Sequence, residues 1–150
     1  MQAKIVSIIG GRSCNAEVEQ IAHNLGLKLS RVVKYMCCGG LSGVMKATCM
    51  GFKAGKGTTI GILPSYNKKD ANKYVDLALP TGLGLARNLL VVKTGDVVVA
   101  LPGAAGTLSE IAYCLQFGIP VISLNSWDID GVIKARTVDE AVKRVKEILI

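Results

Sequence analysis

The segment Leu101-Pro102-Gly103-Ala104-Ala105-Gly106-Thr107-Leu108-Ser109-Glu110 joins an apolar run to a helical one. Small residues let a backbone approach an anion closely, and the first N–H groups and dipole of the following helix favour negative charge. Pro102, Gly103, Ala104, Ala105, Gly106 and Thr107 are therefore candidate phosphate contacts, with Thr107 adding a hydroxyl donor. The same stretch admits a structural reading. Thr107-Leu108-Ser109-Glu110 is the pattern of a capping box, with Thr107 as cap and Glu110 reaching back. These residues alone leave both readings open, since Glu110 can cap without ligand and face one when bound.

Two further loops carry small residues at comparable places. Gly39-Gly40-Leu41-Ser42-Gly43 brings Gly39, Gly40, Ser42 and Gly43 to a second strand-to-helix turn, and Gly10, Gly11 and Ser13 follow the first apolar run. None is a G-x-G-x-x-G fingerprint, because Gly39-Gly40 and Gly43 have the wrong first spacing. Gly55-Lys56-Gly57-Thr58 is no Walker A loop either, since Gly57 stands where Ser or Thr is needed. Both facts argue against bound NAD and against a P-loop NTPase. Arg87 lies near the start of a helix, where a cation opposes the dipole. It reads either as a solvated surface residue or as a guanidinium held for an anion or for Glu110.

Other chemistries find no constellation. His23, the only histidine, lies off the apolar stripe of its helix and is expected to be exposed, and no Ser-His-Asp or Cys-His arrangement assembles around it. Five cysteines without a C-x-x-C speak against zinc and against a disulfide framework, so no metal site is expected. Cys37, Cys38, Cys49 and Cys114 read as buried structural thiols and Cys14 as the reachable one.

These loops need elements to hold them. Apolar runs at Lys4–Ile9, Arg31–Cys37, Thr58–Leu63, Lys73–Leu79, Asp96–Leu101 and Pro120–Leu124 read as strands. Helical periodicity separates them: Glu17–Leu25 closed by Gly26, Val44–Ala54, Leu83–Val92 with Leu85, Leu89 and Val92 inward, and a helix marked by Leu108, Ile111, Ala112 and Leu115 and capped by Gly118. Val138, Ala141, Val142, Val145, Ile148 and Leu149 stripe a terminal helix, and Gly43, Ala47 and Gly51 form a small-residue stripe expected to lie close to a sheet. Strand–helix repetition predicts one α/β domain over residues 1–150, Rossmann-like and doubly wound, with a mostly parallel sheet and helices on both faces. Ligands in such sheets bind beyond the carboxyl ends of the strands at the switch of strand order. That places the three loops at the productive end and Asp96 at the wrong one.

Composition agrees. The 150 residues are 50% hydrophobic and 19% charged, enough apolar material for one core. No run approaches a membrane span, and the N-terminus enters a strand without signal-peptide architecture, so a cytoplasmic protein is expected. A formal charge of +7 favours anionic partners. The few aromatics, none interleaved with basic residues, weigh against nucleic acid. The basic stretch Lys68-Lys69-Asp70-Ala71-Asn72-Lys73 reads as a solvated connection.

Cys38-Gly39-Gly40-Leu41-Ser42-Gly43-Val44-Met45, Ala86-Arg87-Asn88 and Pro102–Glu110 resemble the Rossmann-like family of Lonely Guy phosphoribohydrolases, often labelled lysine decarboxylase-like. With Thr59–Pro64 and Pro80–Gly84 they are more similar to the branch that contains molybdenum cofactor carrier proteins. The decarboxylase label finds no lysine in a pyridoxal-phosphate context. The resemblance implies that the loop binds a nucleoside monophosphate or a pterin phosphate, with no cofactor required and a nucleotide or molybdopterin-type compound as ligand. It implies a homodimer or larger assembly. In the hydrolases it would make Glu110 and Arg87 catalytic, with the carboxylate steadying an oxocarbenium-like ribose. Single-stranded DNA binding, on a related fold, is the third reading. Two departures from the hydrolase pattern stand at the loop: Ala104 replaces a glycine, costly if that backbone needs a positive φ, and Asn88 replaces a lysine.

Overall fold

Every strand but the last is followed by a crossover, and the order that results is β4-β3-β2-β1-β5-β6-β7, parallel throughout. The computed structural model describes residues 2–150. The strands are β1 (Ile5–Ile9), β2 (Tyr35–Cys38), β3 (Thr58–Leu63), β4 (Leu77–Pro80), β5 (Val97–Ala100), β6 (Val121–Leu124) and β7 (Ile133–Ala135). The helices are α1 (Ala16–Leu29), α2 (Val44–Ala54), α3 (Arg87–Thr94), α4 (Ala105–Phe117) and α5 (Val138–Leu149). This is the doubly wound α/β arrangement predicted from the sequence. The order reverses at β1, which pairs with β2 on one side and β5 on the other, so the crevice of such a sheet opens there.

Side chains alternate between two cores. Val6, Ile8, Met36, Val97 and Val99 point to α1, α2 and α5, whereas Ile9, Cys37, Val98 and Ala100 point to α3 and α4. The central strands bury both faces, which is why Val97–Ala100 reads as an unbroken apolar run. Among the described residues no helix is long and apolar enough to cross a membrane.

Several boundaries differ from expectation for identifiable reasons. α1 does not stop at Gly26; it runs to Leu29, and Gly26 is buried because a Cβ there would press on the backbone of Thr48 and Phe52 in α2. Gly51 meets the backbone of His23 in the same contact, so the small-residue stripe of α2 packs on α1 rather than on the sheet, and His23 is half-buried rather than exposed. Residues 31–34 prolong the exit from α1 through Val32 N–H and Val33 N–H to Leu29 O, which delays β2 to Tyr35. Asn72 turns the chain by accepting from Tyr74 N–H, so β4 starts only at Leu77. β7 pairs with β6 over three residues, too short for periodicity to mark it. Lys68–Asp70 is an exposed 3-10 turn, as a solvated connection should be. Cys37, Cys38, Cys49 and Cys114 are buried and Cys14 is half-buried, all as free thiols.

Candidate functional site

The loops after β1, β2 and β5 are built into one another before any ligand is considered. Gly11 N–H donates to Pro102 O (2.9 Å), and Val44 N–H donates to Gly11 O (2.9 Å). Ser42 Oγ–H donates to Arg12 O (2.7 Å). Gly43 has φ +65°, and a Cβ at that position would collide with the Arg12 backbone. The loops thus enclose a crevice of about 790 Å³ at the carboxyl edge of the sheet, across the β1–β5 junction.

Most of the residues singled out in the sequence meet here. Gly10, Gly11, Ser13, Gly39, Arg87, Pro102, Gly103, Ala104, Gly106, Thr107 and Glu110 line the crevice. Gly40, Ser42, Gly43 and Ala105 do not. Ser42 and Gly43 serve the loop scaffold just described, and Gly40, at φ +78°, turns the chain against Gly61. Asp96 sits at the opposite edge, where its carboxylate accepts from Ile5 N–H (2.8 Å). Arg12, Cys14, Asn15, Leu41, Met45 and Asn88 also line the crevice and were not among the predicted contacts. A cation immediately after Gly10-Gly11 was a readable signal for Arg12; Leu41 and Met45 carried none beyond apolarity.

α4 begins three residues earlier than the capping-box reading requires. Its N-cap is Ala104, without a side-chain cap, and Leu108 N–H is already bonded to Ala104 O (3.1 Å). Thr107 and Glu110 therefore lie inside the helix, and neither caps it. Their burial follows the spacing Thr107, Glu110, Ile111, Cys114, which replaces the expected Leu108/Ala112 face. The first-turn amides of Ala105, Gly106 and Thr107 have no helical partner by position. Ala104 adopts φ −99°, so alanine there meets no left-handed strain.

Arg87 is not solvated: it is 8% exposed, and with Asn88, Val91 and Val92 forms the inward face of α3, while Leu85, expected inside, is 80% exposed. One Nη of Arg87 donates to Asn88 Oδ1, and the other to Gly39 O (3.4 Å). Nε is buried without a partner. Gly39 leaves the room for this guanidinium, since a Cβ would lie 2.7 Å from Nη2. Asn88 Nδ2 reaches on to Ser109 Oγ (3.4 Å), tying α3 to the first turns of α4. Among the described residues Arg87 forms no ion pair, with Glu110 or with any other carboxylate. Burial lowers the Arg87 pKa, against the pull of Glu110. Burial likewise raises the Glu110 pKa to about 8, only partly offset by Arg87, so at neutral pH this side chain is mostly the neutral acid. The arrangement is a cation with donors to spare and a helix start with free amides, facing a carboxyl that is not yet charged. It can hold an anion.

Known proteins bear on this geometry. The profile of the SLOG cluster4 family matches residues 3–149. An uncharacterized protein of Archaeoglobus fulgidus is 35% identical over 144 residues, 95% of this chain and 94% of that one. Among solved structures, the molybdenum cofactor binding protein from the phototrophic bacterium Rippkaea orientalis superposes with a TM-score of 0.92 at 34% identity, covering 100% of this chain and 99% of the other. The molybdenum cofactor carrier protein from Chlamydomonas reinhardtii superposes at 0.88 with 30% identity, covering 97% and 98%.

Proposed function

The chain belongs to the SLOG cluster4 family, and from that membership we propose that its crevice binds a small phosphorylated ligand, with carriage of a molybdopterin-type compound as the favoured case. The observation that carries the proposal is the pairing of the uncapped α4 N-terminus with a buried Arg87 whose Nε has no protein partner. A phosphate supplies acceptors for the helix-start amides and balances the charge of the buried guanidinium. The similarity to molybdenum cofactor binding and carrier proteins favours the pterin class over other phosphate esters. Among the described residues no group of three His, Cys, Asp or Glu could hold a metal ion, so a molybdenum cargo would be held through its organic part. We further propose a homodimer or larger assembly, for which the exposed Leu77, Leu79 and Leu83 offer apolar surface; light scattering that gives the monomer mass overturns it.

Mass spectrometry of small molecules released from the purified protein tests the ligand directly, and a pterin phosphate is the expected finding. A thermal-shift titration tests the handle. A ligand at 100 times its Kd adds about 2.7 kcal/mol, or roughly 5–10 °C for a domain of this size. GMP should give such a shift and guanosine should not; equal shifts would overturn phosphate recognition.

The hydrolase reading keeps one specific support, the Glu110 acid beside Arg87. A carboxyl with a pKa of about 8 suits protonation of a leaving base better than stabilisation of an oxocarbenium as a carboxylate. Asn88, buried and engaged with Arg87, stands where the resembling hydrolases carry lysine. Release of free base from a nucleoside monophosphate panel, abolished about 100-fold in Glu110→Gln with binding retained, would establish the enzyme. No release by wild-type protein is the expected result.

A further inference from the structure

A second cavity of about 270 Å³ lies on the far side of the Pro102–Gly103 wall, and it is bounded there by Asn125, Ser126, Trp127 and Asp128 from the β6–β7 connection. Trp127 is the only tryptophan in the chain. Its indole N–H donates to Ala104 O (3.3 Å), the residue from which α4 starts. Its backbone carbonyl accepts from Ser123 Oγ (3.0 Å), and the neighbouring Asp128 pairs with Lys134 of β7 (3.0 Å). The connection is therefore pinned at three points, yet Trp127 remains 40% exposed. Asn125 holds a left-handed backbone, φ +55°, to make the turn. Ser126 lines the same cavity, although its Oγ is itself buried, without a hydrogen-bond partner. An indole fixed in place but not covered is what a planar heterocycle would complete.

We infer that this cavity is the ring subsite of the phosphorylated ligand: Trp127 stacks a fused nitrogen heterocycle of purine or pterin type. The inference rests on the proposed function, because the phosphate at the α4 N-terminus is what delivers the ring. The indole is one hydrogen bond from that helix start, so the sugar or chain of a phosphate monoester spans the gap across Gly103. The phosphate then selects for charge on one side of the wall, and the ring for flatness on the other. The alternative course for the ring is inward, along Leu41, Met45 and Leu85 of the larger crevice.

GMP and ribose 5-phosphate serve as probes, one with a ring and one without. The single tryptophan reports on wild-type protein directly: its fluorescence should be quenched by GMP and unchanged by ribose 5-phosphate. Trp127→Leu should weaken GMP about tenfold or more, the scale of base stacking on an aromatic, and leave ribose 5-phosphate affinity as it was. Trp127→Phe, which keeps a ring but lacks the indole N–H, should retain most of the GMP preference. GMP binding without fluorescence change and with wild-type affinity in Trp127→Leu overturns the ring subsite while the phosphate site stands. So does weakening by Leu85→Ala instead. Equal weakening of both probes by Trp127→Leu reduces Trp127 to a support of the loop and also overturns it. Failure of wild-type protein to bind either probe removes the phosphate reading, and this inference with it.

Discussion

The pattern Thr-x-x-Glu occurs at two helix starts, and the two do opposite things. At α5, Thr137 Oγ1 accepts from Glu140 N–H (3.1 Å) and Glu140 Oε2 accepts from Arg136 N–H (3.0 Å). The first bond satisfies an amide that the helix start leaves free, the second ties the preceding residue back onto the first turn, and Asp139 adds favourable charge. At α4, Thr107 and Glu110 are 3% and 7% exposed, the one in the first turn of the helix and the other in the second, and no side chain caps the start. The difference is one of position. Ala104 starts α4 early, which rotates Thr107 and Glu110 onto the sheet-facing stripe and leaves the first amides bare. A helix start that serves the fold is closed by its own side chains; one that is left open, with a cation beside it, has amides to give to a ligand.

The two glutamates separate the ends most sharply. Glu110 in the folded protein keeps its proton up to about pH 8, against an ordinary value of 4.5. Between those pH values the native state binds more protons than the unfolded chain, so stability falls as pH rises through the window. Below the lower value this penalty is absent, and above the upper one it is complete. Denaturant unfolding should show wild-type protein losing about 3–5 kcal/mol relative to Glu110→Gln between pH 4.5 and 8.5. Glu140→Gln, which keeps a capping acceptor and removes only the charge near the helix start, should cost about 1 kcal/mol or less. If Glu110→Gln and wild type respond to pH alike, burial of the carboxyl is wrong and the contrast collapses.

The arginines come next. Arg87→Met removes the buried cation facing the α4 amides and should weaken GMP about 10- to 100-fold, read by calorimetry. Arg144→Met, at a surface pair with Glu147 on α5, should leave that affinity unchanged. Equal small effects would mean that the crevice attracts anions only through the general positive charge.

Much of this was legible from the residues. Strand–helix alternation carried the parallel sheet and its switch point, and the glycine loops fell on the crevice side because the chain returns every strand in one direction. The helix starts were harder. Capping patterns specify a local bond without specifying which residue begins the helix, and at α4 small residues permit an earlier start than Thr107. The stripe Thr107, Glu110, Ile111, Cys114 was present in the sequence, but two polar members disguised it as surface. Arg87 and Asn88 were hidden likewise, since a buried guanidinium held by an amide and a carbonyl has no periodic signature. Trp127 lies in an irregular connection, where pattern says nothing of what the ring faces. The threonines turn this lesson into a measurement. Thr137→Ala should destabilise by about 1 kcal/mol through a lost cap. Thr107→Val keeps the buried shape and loses no cap, so its stability should change by roughly half that or less. The reverse ranking would restore the capping box at α4.

The smallest effect concerns the residue that sets the early start. Ala104 stands where the resembling hydrolases have glycine, and a glycine would be required if the loop turned through positive φ. It does not: φ is −99°, outside the left-handed region. Ala104→Gly therefore relieves nothing. It adds freedom to the unfolded chain and should destabilise by about 0.4–1 kcal/mol, seen as a small drop in Tm. Base release from nucleoside monophosphates should not appear in this variant either, because the loop already has the backbone that a glycine would give it. A stabilised variant would show that alanine strains the loop. A variant that gains hydrolysis would show that the methyl group, and not Asn88, is what separates this crevice from an active site.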